Sequence, residues 1–191
     1  MTAVDLDIDR VFTAGTAMIR KPKRLYEVRH DMDWEGRLQY YCGPAIISAI
    51  TGRSAECAAA WINKIRDRNI YSQVKGTYSK EIAQVLFRLG YMMRSLDITR
   101  PGSDEKYTLR DWLSSRSSTQ YDCVFALVVS DHWLVIHKDR LVCSRQPLGV
   151  NVYEAKKQKA LVRDYYEITL VDDYCGRLIR KRRKDPLPGE E

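Results

Sequence analysis

The chain has 191 residues, 45% of them hydrophobic and 30% charged, with a formal net charge of +7 at pH 7. That length suits one domain, and the balance excludes a disordered chain or a disulfide-stapled miniprotein. The longest uncharged apolar run, Cys123 to Ser130, falls far short of the roughly 20 residues of a membrane span, and the N-terminus is acidic where a signal peptide would be basic. A soluble, cytoplasmic protein without membrane attachment is the expectation.

Residues 1–24 show no sustained periodicity and predict an irregularly packed arm, with the body running over 25–175 and a basic tail over 176–191. The run Pro44 to Ile50 is apolar nearly all round, as in a short helix buried on every side. Pro44 fits its first turn and Gly52 its C′ position.

Ser54 is a candidate N-cap for a second helix, whose apolar face is Ala55, Ala58, Ile62 and Ile65 and which should end near Asn69. After a loop through Val74-Lys75-Gly76-Thr77, Ser79 is the expected N-cap of a third helix. It carries Ile82, Val85, Leu86 and Leu89, with Gly90 as its stop.

Tyr91 to Ile98 reads as a strand and Pro101-Gly102-Ser103-Asp104 as a loop, after which Thr108 caps a short helix bearing Leu109, Trp112 and Leu113. The remainder is β in character: Val124 to Val129, Trp133 to Ile136, Leu141-Val142, and Tyr165 to Val171. Helices first and strands second, without alternation, predict an α+β fold.

Five cysteines (Cys42, Cys57, Cys123, Cys143, Cys175) are odd in number, and none forms a C-x-x-C pair. Neither a zinc site nor a redox couple is indicated, and no cofactor is expected. Cys42 stands directly before Gly43-Pro44, at the mouth of the buried helix, where unpaired N–H groups and the positive helix end favour a thiolate. The competing reading is a small buried hydrophobe. Cys57 and Cys123 read as packing residues.

A thiolate nucleophile needs an imidazole to manage its proton. Of three histidines, His132 opens the strand His-Trp-Leu-Val-Ile-His beside a loop, His137 lies on the opposite face by alternation, and His30 reads as a surface residue.

The segments Tyr-Cys-Gly-Pro-Ala-Ile-Ile-Ser-Ala-Ile-Thr-Gly-Arg (41–53) and Asp-His-Trp-Leu-Val-Ile (131–136) resemble papain-like cysteine peptidases of the compact bacterial and phage kind. Val-Lys-Gly-Thr (74–77), Leu-Gly-Tyr (89–91) and Leu-Arg-Asp-Trp-Leu (109–113) are similar to short papain-like proteins of tailed phages and prophages. The resemblance covers about residues 38–146. It implies a papain-like fold, with a helical half holding the nucleophile helix against a C-terminal antiparallel sheet. It also implies Cys42 as nucleophile, His132 as general base and then acid, and a peptide or protein substrate.

Two departures bear on the rest of the site. Family members carry an Asp or Asn on the strand after the His strand, whereas the matching stretch here is Val142-Cys143-Ser144-Arg145-Gln146. A three-residue loop Lys138-Asp139-Arg140 would place Gln146 opposite His132, and a loop His137-Lys138-Asp139 would place Ser144 there. Either side chain could orient the ring. The family's oxyanion glutamine has one upstream candidate, Gln39, which is closer to the cysteine than usual and reads equally well as a surface residue.

The alternative is an inactive papain-like phage or prophage protein serving as an interaction module for a virion or host protein. Arg177, Arg180, Lys181, Arg182, Arg183 and Lys184 permit a nucleic-acid partner without demanding one.

Overall fold

The computed structural model describes residues 18–29, 42–97, 107–156 and 158–172. His30, Gln39, Cys175, the loop at 101–104 and the basic tail lie outside them. The architecture is α+β, with helices in the first half of the chain and a mostly C-terminal antiparallel sheet.

In chain order the elements are β1 (Met18–Arg20), α1 (Cys42–Thr51), α2 (Ala55–Ile65), α3 (Ser79–Arg88), β2 (Tyr91–Leu96), α4 (Leu109–Ser115) and α5 (Ser118–Tyr121). They continue with β3 (Val124–Val129), β4 (His132–His137), β5 (Arg140–Cys143), β6 (Gln146–Asn151), a 3-10 turn at Val152–Glu154 and β7 (Val162–Asp172).

The sheet runs β2-β7-β3-β4-β5-β6, every pair antiparallel. Leu170 pairs with both Arg20 and Tyr91, so β1 lies on the β3 edge of β7, beyond the end of β3. The sheet therefore begins inside the segment expected to be an irregular arm. Three residues give too short a window for alternation to show.

Both faces of the sheet are covered, which accounts for the unbroken apolar runs of β3 and β4. On one face α1, α2 and α3 pack against Val124, Ala126, Trp133, Val135, Val142 and Ile168. On the other, α4 packs its Leu109, Trp112 and Leu113 against Phe125, Leu127, Leu134 and Ile136. Trp112 meets Phe125 edge to face, with ring centroids 5.3 Å apart.

The helix boundaries follow local chemistry. Gly43 through Ile50 are all buried, and Gly52 ends α1 at φ +74° with its N–H on the Ser48 carbonyl at 2.8 Å. Ser54 caps α2 by accepting the Cys57 N–H at 3.3 Å. That helix stops at Ile65 and not near Asn69: Arg66 closes it and Asp67 turns to φ +53°.

Ser79 is the first residue of α3 and not its cap. The cap position is Tyr78, whose N–H donates to Glu81 Oε2 at 2.8 Å. Thr108 caps α4 as expected, accepting the Asp111 N–H at 3.2 Å.

Candidate functional site

Cys42 occupies the first position of α1 and is half-buried, while the next eight residues are wholly enclosed. The helix packs on β4 and β5, and its own apolar composition holds it there. Its first turn leaves N–H groups without intrahelical acceptors beside the sulfur.

Thr77 ties this end of α1 to the start of β4. A Cβ on residue 43 would fall 2.3 Å from Thr77 Oγ1, so only glycine lets the two backbones approach. The Thr77 carbonyl accepts the Trp133 indole N–H at 3.0 Å. The residue after Cys42 and the residue after His132 therefore meet on one threonine.

An ion pair fixes the loop that carries Thr77. Arg66 Nε and Nη2 lie 2.6 and 2.7 Å from the two Glu81 carboxylate oxygens, and Nη2 also donates to the Gly76 carbonyl at 2.7 Å. Burial alone would push the Glu81 carboxyl up. The bonds from Arg66 and the Tyr78 N–H outweigh it and hold the group below its ordinary range.

His132 is buried, 7% exposed, and is the first residue of β4. It pairs with Val129, while Trp133 pairs with Val128. Strand alternation turns the His132 side chain to the face of Leu134 and Ile136, and Trp133 and Val135 to the face covered by α1. The structure thus brings the chain segments of Cys42 and His132 together at Thr77, while the two side chains start from opposite faces of the sheet.

The β4–β5 turn corrects both expected registers. His137 pairs with Arg140, so the loop is the two residues Lys138-Asp139, with Lys138 at φ +55°. The β4–β5 pairs run from His137–Arg140 to Val135–Val142, and residues 144–145 turn into β6, so neither expected loop forms and the ladder does not extend to His132. Gln146 is exposed, at the start of β6. Ser144 is 3% exposed in the β5–β6 turn, with its hydroxyl buried and without a hydrogen-bond partner among the described residues.

The same register puts Cys143 level with Leu134, on the face of His132 and diagonal to it across β4 and β5. No motif in the sequence marks Cys143 as a neighbour of His132. The strand pattern Leu141-Val142-Cys143 would have indicated its face had the turn length been known.

The other two thiols among the described residues fit packing roles. Cys57 and Cys123 are buried, and burial pushes the Cys123 thiol up. His137, with Trp133 and Val135 on the α1 side, is held below its ordinary value by burial and by Lys138. Among the described residues no His, Cys, Asp and Glu cluster could hold a metal, and no helix is long and apolar enough to cross a membrane. No family model matches the chain, and neither a curated protein nor a solved structure matches it significantly.

Proposed function

We propose that the chain is a papain-like thiol hydrolase with Cys42 as nucleophile and His132 as its imidazole. One observation carries this reading: a half-buried cysteine opens an otherwise enclosed helix, and that helix end shares Thr77 with the start of the histidine strand. The thiolate would attack an amide carbonyl, the imidazolium would protonate the departing amine, and water would release the acid from the thioester. The Cys42 backbone N–H would donate to the oxyanion. The resemblance makes peptide amides the leading substrate class.

The reading requires the His132 ring to come round the end of β4, where the strand starts after the left-handed pair Ser130 (φ +47°) and Asp131 (φ +60°). The face assigned to His132 favours a second reading, in which the fold persists as a non-catalytic module that binds a virion or host protein.

Limiting iodoacetamide with mass-spectrometric readout, beside turnover of a peptide library, separates the two. A hydrolase labels fastest at Cys42 near neutral pH and loses all turnover in well-folded Cys42→Ala and His132→Ala variants. Turnover that survives in folded Cys42→Ala, or a Cys42 that labels no faster than Cys143, rejects the enzyme.

A further inference from the structure

At the far end of β4 a cleft of about 630 Å³ opens between residues 23–25, the Lys138-Asp139 turn and β6. That volume is in the range of small-molecule sites. Four described side chains lining it are basic, Lys23, Arg24, Lys138 and Arg140, and one is a carboxylate, Asp139. The carboxylate is engaged already, accepting the Tyr121 hydroxyl at 2.5 Å.

Backbone contacts fix the Arg140 side chain and the turn at Lys138, and the Arg24 guanidinium lies 4.7 Å from the Tyr26 ring centroid. Arg140 Nη2 donates to the Leu148 carbonyl at 2.7 Å. Gly149 makes room for that guanidinium, since a Cβ there would lie 2.5 Å from Arg140 Nε. The Lys138 N–H donates to the Tyr121 carbonyl at 3.2 Å, and the Lys138 carbonyl accepts from Arg116 at 3.1 Å.

Two rim carboxylates compete for these charges. Glu27 stands 3.6 Å from Arg140 and Asp122 stands 3.4 Å from Lys138, each with 61% of its side chain exposed. Exposed pairs of this kind are weak, so a multiply charged oxyanion can compete with them. Buried His137 adds a neutral ring to the wall.

We infer that this cleft binds a phosphorylated small molecule, with the phosphate among Arg24, Lys138 and Arg140. The four basic side chains lining the cleft outnumber the carboxylates beside them, Asp139, Glu27 and Asp122, and guanidinium donors suit phosphate oxygens. Nucleic acid fits less well, because the single tyrosine of the cleft carries Arg116 5.6 Å from its ring centroid and is tied to Asp139, which leaves no row of stacking faces.

The test is calorimetry on the full chain at low salt, with pyrophosphate and ADP as probes and adenosine as the uncharged control. Both phosphates should bind and adenosine should not. Arg24→Glu and Lys138→Glu, both at exposed positions, should each weaken binding by about tenfold or more with unchanged melting. Cys42→Ala should bind normally, which keeps this result separate from the thiol chemistry. Failure of both phosphates to bind overturns the inference. So does binding that survives both cleft variants but disappears when Arg180 to Lys184 are replaced by alanine. A single-stranded oligonucleotide that outcompetes ADP at the cleft overturns it in favour of nucleic acid.

Discussion

The carbonyl of Thr77 accepts the indole N–H of Trp133 at 3.0 Å, and the Thr77 side chain fills the space above Gly43. The helix end that carries Cys42 and the strand end that carries His132 are held by this contact.

Gly43→Ala should therefore destabilise the fold by about 2 kcal/mol, as overpacking a rigid contact does. In a double-mutant cycle Thr77→Gly should recover part of that loss, because it removes the clashing atoms. Denaturant unfolding of the four proteins measures the coupling, and additive effects would show that the approach can relax.

Glu81 gives a pH-dependent prediction. Its carboxyl is held low in the fold, so its contribution is present above the unfolded value of about 4.3 and is lost as pH falls through the lower folded value. Glu81→Gln should cost about 2 kcal/mol at pH 7, the scale of hydrogen bonds to a charged group. The gap between wild type and variant should close on acidification below the ordinary carboxylate range. Melting curves from pH 7 to pH 3 decide it, and a gap constant across that window would mean the pair is replaced equally well by neutral hydrogen bonds.

Cys143 and His132 share a face on adjacent strands, so a charge placed at 143 should reach the ring. Cys143→Asp should raise the titration midpoint of His132, because a carboxylate favours the imidazolium. Gln146→Ala should leave it in place. Histidine NMR titration reads both, with melting curves to confirm the fold, and the opposite ranking would restore Gln146 as the orienting group.

The β3–β4 turn is suboptimal for its conformation. Ser130 and Asp131 sit at φ +47° and +60°, where Asn-Gly is strongly preferred. Ser130→Asn with Asp131→Gly should stabilise by about 0.5–1 kcal/mol, less the exposed ion pair between Asp131 and Arg163. Thermal unfolding checks this, and a loss of stability would mean that the ion pair outweighs the backbone preference.

The helices and central strands were legible because their signals are local. Buried α1 announces itself by an apolar surface on every side, and Ser54, Thr108, Gly52 and Gly90 mark ends by chemistry visible within four residues. The register around His132 was not legible, since it depends on a two-residue turn in which lysine adopts the left-handed conformation that glycine or asparagine would have advertised. Glu81 supplied the cap of α3 by reaching back to the Tyr78 N–H, which made the neighbouring Ser79 a decoy. The Thr77 contact escaped for a different reason: it joins residues 34 and 56 positions apart, beyond any periodicity.

Strand β7 is the last of the described strands yet lies between β2 and β3, and it also pairs with β1. Among the described residues β2 has no sheet neighbour, and β3 only β4, until the segment through residue 172 has emerged during synthesis. Closure of the sheet waits for this strand, and a nascent chain halted before residue 162 leaves three strands, β1, β2 and β3, with an unpaired edge at once. A stop codon there would yield an aggregating fragment rather than a smaller folded protein, however complete its helical half.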